Sequence, residues 1–258
     1  MNTFIYILIF IIGTLFGSFF SLAVYRIPIK ESIMHGRSYC PKCNHSLEFL
    51  DLIPILSYLF LGGKCRYCKE KIRIRYICLE ILSGLVFLLF AISLNINIYN
   101  IQVEKIVYLI LGILFISSLF IIGGIEKEKH YISNSVLLFG LVIEIIYIIY
   151  LYVLKVSIYK YAIYLFIILI LKIINILLLK KKKNIYAIDI LMLYIYIGIF
   201  VREEFLIFSA IFTFILTLIN RIYTNVNNKT QKNTDRKIPI GFYLCATNVS
   251  MIILQNYI

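Results

Sequence analysis

A chain of 258 residues that is 62% hydrophobic, with mean hydropathy +0.93, is too apolar for a soluble domain, where apolar residues make up about half at most. Its solvent is therefore the bilayer. The formal net charge of +13 comes with no recognisable nucleic-acid module, so the basic residues read as topology determinants and lipid-surface contacts, and no nucleic-acid partner is expected.

Apolar segments recur near residues 3–25, 76–95, 104–125, 131–154, 158–180, 185–201, 204–222 and 238–257. A helix of about 20 apolar residues crosses a hydrocarbon core of ~30 Å, so the expectation is an all-α polytopic membrane protein with about eight transmembrane helices. The first segment has no basic n-region and no small-residue cleavage site, which reads as a retained helix rather than a signal peptide. The sixth, around Asp189, is short and carries a charge. Three parts follow: a first transmembrane helix over 1–25, a polar loop over 26–75, and a multi-helix membrane domain over 76–258. Basic residues test this order through the positive-inside rule. With the loop 26–75 in the cytoplasm, the clusters at Lys127 and Lys129, at Lys180 to Lys183 and at Arg221 to Lys237 all fall on the same side. The outer side receives Lys105, Lys155, Lys160 and Arg202, and both termini lie outside. The polar stretch 225–237 reads as a solvated loop.

The loop carries Cys40-x-x-Cys43 and Cys65-x-x-Cys68, with 21 residues between the pairs. Each pair forms a tight knuckle, and two knuckles supply four thiolates to a tetrahedral zinc ion with no open position. That chemistry is structural: a short loop flanked by membrane has little core, and metal ligation supplies folding free energy. Four unliganded thiols, or a redox pair, are the alternatives. Such pairs on a basic loop suit a reducing compartment rather than a disulfide framework.

Residues around the cysteines narrow the function. "GTLFGSFFSLAVYRIP" (13–28), "DLIPILSYLFLGGKCRYC" (51–68) and "RIRYICLEILSG" (73–84) together resemble the N-terminal part of type IV prepilin peptidases. That family has a Gly-Ser-Phe helix ending in Tyr-Arg-hydrophobic-Pro, a tetracysteine loop with Asp-x-Ile-Pro and Gly-Lys-Cys-Arg-x-Cys, and an exit of Arg-Tyr-x-x-x-Glu. "KIPIGFYLCATN" (237–248) is similar to its closing Ile-Pro-x-Gly motif. The resemblance implies an intramembrane aspartyl-type endopeptidase of the bacterial cytoplasmic membrane. Such an enzyme removes the basic leader of type IV prepilin or pseudopilin precursors at the cytoplasmic face. The family also methylates the new N-terminus, which implies S-adenosylmethionine, although no methyl-donor motif is recognisable in the residues.

The family's two aspartates stand eight residues before the Asn or Asp of an Ile-Pro-Asn-like turn, and at the end of a Gly-x-Gly-Asp motif. In "GGIEKEKHYISN" (123–134) the first position is Glu126, with Ser133 in place of the proline. In "KKKNIYAIDILML" the second is Asp189, with Tyr186 and Ile188 at the glycine positions and Leu191 where a lysine is usual. Paired carboxyls hydrolyse a peptide when one is ionised and draws a proton from water while the other, protonated, polarises the carbonyl; two carboxyls a few ångströms apart share one proton. Glutamate is one methylene longer than aspartate, and a misplacement of about 1 Å costs on the order of 100-fold in rate. Glu126 and Asp189 are the expected catalytic pair. Taken alone, "EKEKH" reads as a solvated turn, and Asp189 reads as an acid reaching the interface or the adjacent lysines. Glu144 and Lys172 are placed to pair, Glu80 to bond within the inner end of its span, and His45 is a spare metal ligand. Two other functions fit the pattern: a prepilin-binding homologue with impaired chemistry, and a zinc-braced transporter or scaffold.

Overall fold

The computed structural model describes residues 2–96, 102–180, 186–228 and 238–257. Lys181, Lys182 and Lys183 and most of the polar stretch 225–237 lie outside them. Among the described residues the fold is helical, with two isolated antiparallel bridges and no strand. Each expected apolar segment is a helix: α1 (Asn2–Arg26), α3 (Arg75–Ser93), α4 (Val103–Lys129), α5 (Asn134–Val153), α6 (Tyr159–Lys180), α7 (Tyr186–Phe200), α8 (Glu203–Asn228) and α9 (Ile240–Leu254). A five-residue helix, α2 (Leu56–Phe60), lies in the loop. Six helices are long and apolar enough to cross a membrane, whereas α7 and α9 are shorter apolar helices of 15 residues. The chain is thus an all-α, multi-pass membrane protein with the four-cysteine loop between its first two spans.

The chain divides into two compact units, Met1–Leu109 and Ile110–Ile258. In the first, α1 and α3 pack along small residues. A Cβ built on Gly17 would lie 2.1 Å from Ser83 Oγ and 2.7 Å from Glu80 Cα, so only glycine allows this approach. Without a hydrophobic force between helices in lipid, such close packing and interhelical hydrogen bonds hold a pair together; Ser83 Oγ donates to the Gly13 carbonyl at 2.7 Å. Phe16, Phe20 and Phe87 cluster beside this contact.

In the second unit an aromatic core joins α4, α5 and α7: Phe115 stacks on Phe200 at 4.6 Å and Tyr147 on Phe200 at 4.6 Å. The Tyr196 hydroxyl bonds Ser118 Oγ at 2.6 Å. Thr213 and Thr247 bond across α8 and α9 at 2.9 Å. The expected Glu144–Lys172 pair does not form. Lys172 donates to Asn134 Oδ1 at 2.6 Å, and Glu144, fully buried on α5, has no hydrogen-bond partner on either carboxylate oxygen among the described residues. The two residues sit on different helices at different depths, and Asn134, at the start of α5, is the acceptor within the lysine's reach.

Candidate functional site

In the loop the two Cys-x-x-Cys pairs form matching knuckles. After each second cysteine one residue turns left-handed, Asn44 (φ 56°) and Lys69 (φ 58°). Its amide donates back to the first cysteine's carbonyl, Asn44 to Cys40 at 2.8 Å and Lys69 to Cys65 at 3.0 Å. Each knuckle is closed by a bridge, Tyr39 with Ser46 and Lys64 with Lys71. The four sulfurs lie within 4.8 Å of one another, and Cys40 Sγ is 3.8 Å from Cys68 Sγ. Metal–sulfur bonds of about 2.3 Å in a tetrahedron set sulfurs just under 4 Å apart, so Cys40, Cys43, Cys65 and Cys68 fit a metal ion. Burial pushes the Cys40 thiol up, but backbone hydrogen bonds at Cys43 and Lys42 and the neighbouring thiols outweigh it and bring it to about 7. At Cys68 the Glu70 backbone works downward, yet desolvation and the three other thiols push it up to about 11. His45 stacks on Tyr67 at 3.6 Å.

The loop is tied to its flanking helices. Arg26, buried at the end of α1, donates to the carbonyls of Ser32 and Arg37, each at 3.0 Å. Glu80 does not bond within its own span as expected. Its Oε2 accepts the Ile55 amide at 2.7 Å, a long-range contact that helical periodicity cannot reveal.

In the second unit Glu126 is no part of a solvated turn. The helix α4 runs on to Lys129, and Glu126 is 0% exposed. It continues the buried face Phe115, Leu119, Ile122, at the i, i+4, i+7, i+11 spacing of one helix stripe. Oε1 accepts two hydrogen bonds, from the Tyr186 hydroxyl at the start of α7 and from the Gly241 amide at 2.9 Å. Gly241 is the second residue of α9, whose amide has no partner within its own helix. Glu126 thus caps a neighbouring helix. The Tyr186 hydroxyl also accepts the Ile240 amide at 3.3 Å, and Lys127 lies 4.4 Å above the Phe242 ring. Glu126 Oε2 is buried with no hydrogen-bond partner among the described residues.

Asp189 stands in the first turn of α7, three residues after Tyr186. It is half-buried, and its Oδ1 accepts a short hydrogen bond from the buried Asn175 on α6. Glu126 and Asp189 share no hydrogen bond among the described residues; what joins them is α7, whose first turn carries both Glu126's tyrosine partner and Asp189. Asn175 and the capping of the Gly241 amide by Glu126 escape a reading of the sequence, although a lone Asn in the apolar run 173–179 is a visible signal. Tyr186, at one of the family's glycine positions, is a hydrogen-bond donor to Glu126.

A family model described as Bacterial Peptidase A24 N-terminal domain matches residues 11–94. Over these residues the chain resembles the prepilin leader peptidases. It is 41% identical over 81 residues to the prepilin leader peptidase/N-methyltransferase of Myxococcus xanthus, covering 31% of this chain and 24% of that protein. It is 35% identical over 134 residues to the protein of the same name from Bacillus subtilis, covering 52% and 50%, and 39% identical over 87 residues to that of Vibrio cholerae, covering 30% and 34%. The chain thus spans half or less of the length of these relatives. No solved structure matches it. Family likeness is strongest where the loop and its flanking helices lie.

Proposed function

We propose that this chain is a prepilin leader peptidase, an endopeptidase that cuts the basic leader from type IV prepilin or pseudopilin precursors at the cytoplasmic face of the bacterial inner membrane, with Glu126 and Asp189 as its catalytic pair. One observation carries this assignment: a fully buried glutamate holds one carboxylate oxygen on two donors and leaves the other without a hydrogen-bond partner among the described residues, beside the helix turn that bears Asp189. An ionised oxygen left bare in an apolar surrounding is costly, so the shared proton belongs on Glu126 Oε2. Asp189, half-exposed, accepting from Asn175 and with Lys172 as its nearby cation, is the ionised partner. In the reaction Asp189 takes a proton from water, the hydroxide oxygen bonds to the scissile carbonyl carbon, and Glu126 gives its proton to the carbonyl oxygen. Collapse of the tetrahedral intermediate breaks the C–N bond as the proton on Asp189 passes to the leaving amine and one hydroxyl of the intermediate returns its proton to Glu126, which restores both carboxyls.

Cys40, Cys43, Cys65 and Cys68 hold zinc as a closed structural site, which folds the loop and takes no part in the chemistry. Ten basic and four acidic residues over 26–75 favour the cytoplasmic side for the loop. The N-methyltransferase activity in the relatives' names is outside the proposal, and no residues are assigned to S-adenosylmethionine. The test is co-expression with a prepilin: a leader-shortened product is expected, and Asp189→Asn and Glu126→Gln each abolish it. Binding without cleavage favours a prepilin-binding homologue, and neither favours a scaffold.

A further inference from the structure

We propose that the segment Phe49–Phe60, between the two cysteine knuckles, is a membrane-surface anchor that seats in the interfacial layer of the bilayer against anionic phospholipid. The segment consists of a short 3₁₀ turn (Phe49–Leu52) packed against α2. Both turn large apolar side chains outward: Phe49 is 81% exposed and Phe60 85%, with Leu50, Leu56 and Leu59 exposed beside them. Neighbouring apolar residues that stay uncovered mark an interaction site rather than ordinary surface scatter.

Three observations make lipid the occupant. First, depth. The Ile55 amide, immediately before α2, bonds to Glu80 Oε2 at 2.7 Å. Glu80 is the sixth residue of the membrane-crossing α3, about 7–8 Å along the axis from Arg75 at 1.5 Å per residue. Glu80 also lies against Gly17, well inside α1. The root of α2 is therefore held level with the inner part of two spans, at the depth an interfacial helix occupies. Secondly, charge. Lys42, Lys64, Lys69, Lys71 and Arg73 are all exposed in the loop around the segment, the acid within the segment, Asp51, is neutralised by Arg66 at 2.7 Å, and the loop has ten basic residues against four acidic. Apolar side chains rimmed by Lys and Arg match a layer of acyl chains beneath anionic headgroups. Thirdly, rigidity. Helical pieces of four and five residues do not hold themselves together; here the knuckles at either end and the Ile55–Glu80 bond fix them. Ile55, β-branched, is held at φ +63°, a strained conformation that persists where surrounding structure enforces it.

The chain contains no tryptophan, so a single introduced indole reports its own surroundings. Phe60→Trp and, separately, Phe49→Trp are made in the full-length protein, with Leu89→Trp on the lipid-facing side of α3 as the membrane reference. Each is reconstituted into phosphatidylcholine vesicles with and without phosphatidylglycerol, containing lipids brominated near the carbonyl end of the acyl chains. The expected result is blue-shifted emission at positions 60 and 49, quenched by the bromolipid, shielded from acrylamide, and quenched more strongly when phosphatidylglycerol is present. Water-like emission at both positions, open to acrylamide and unquenched while Leu89→Trp is quenched, overturns the proposal and assigns the patch to a protein partner or to solvent. Quenching that does not depend on phosphatidylglycerol overturns its electrostatic half.

Discussion

Gly241→Ala probes the carboxylate site through a single methyl group. A Cβ built at Gly241 lies 2.7 Å from Glu126 Oε2, 3.0 Å from Cδ and 3.2 Å from Oε1. Ordinary contact begins at 3.4 Å, so the carboxyl must retreat by about 0.7 Å. Because it is the far end of a flexible side chain it can do so, and alanine is a better helix former than glycine by roughly 0.5–1 kcal/mol. The fold therefore loses little, and the thermal midpoint in detergent stays within a few degrees of the parent. The chemistry loses more: a misplacement of about 1 Å costs on the order of 100-fold, so prepilin cleavage falls by about tenfold to a hundredfold. Glu126→Asp supplies the second arm of a cycle. Aspartate is shorter by about one C–C bond of 1.5 Å, which takes the carboxyl out of reach of both the Tyr186 hydroxyl and the Gly241 amide, so alone it also slows cleavage. The glutamate's extra length is used here rather than tolerated. In the Gly241→Ala background the shorter side chain clears the new methyl, and the double variant loses less than the two single losses combined. Cleavage by Gly241→Ala at the parental rate, or strictly additive losses, refutes the reasoning.

Tyr186→Phe removes one donor to Glu126 Oε1 without changing the ring. A hydrogen bond to a charged or shared-proton group is worth about 1.5–3 kcal/mol, so cleavage drops by at least about tenfold and moves to a different pH optimum, read from a pH–rate profile. Metal removal by chelator, or Cys65→Ser, unfolds the loop and exposes it to protease. Because ligands bind as thiolates and Cys68 sits near 11 while Cys40 sits near 7, uptake of zinc releases protons and its apparent affinity rises with pH, measured by competition with a chromogenic chelator. Glu144→Leu removes a buried carboxyl with no partner and stabilises the protein by about 1–3 kcal/mol with cleavage unchanged; lost cleavage gives Glu144 a role in the reaction. Gly17→Ala drives a methyl into Ser83 and Glu80 and destabilises the α1–α3 pair by about 1–3 kcal/mol, seen as a lower thermal midpoint.

What could be read from the sequence is what local spacing encodes. Eight apolar runs became eight helices, but only six of them are long and apolar enough to cross a membrane, since length and hydropathy decide such a helix without help from its neighbours. The knuckles were legible because two residues between cysteines fix where the sulfurs point, whereas the left-handed turn at Lys69 was not, since lysine carries no preference for it. Glu126 shows the limit of a window. "EKEKH" is polar by composition, yet the helix face it extends is apolar, and the stripe from Phe115 to Ile122 assigns Glu126 to the inside. The pairs Ile55–Glu80, Asn175–Asp189 and Lys172–Asn134 join distant parts of the chain, and no periodicity reports which polar groups meet once the helices pack.

The contacts of Glu126 with Tyr186 and Gly241 recast the departures from the family pattern around it as one fitted set rather than separate losses. The glutamate's extra methylene carries its carboxyl to the start of α9, where Pro239 opens the helix and Gly241 lets the backbone come within hydrogen-bond distance. A tyrosine where the resemblance expects glycine supplies the second donor to the same oxygen. The two changes fit the glycine that the closing motif keeps: aspartate would not reach the amide, a side chain at 241 would strike the carboxyl, and without Tyr186 the buried oxygen would keep one donor. Glu144 is buried with both oxygens bare, so a bare oxygen alone marks no role; what sets Glu126 apart is that its other oxygen is held by two donors from α7 and α9. That double hold fixes where the remaining oxygen, Oε2, stands, and under the proposed function it is the oxygen that would carry the proton.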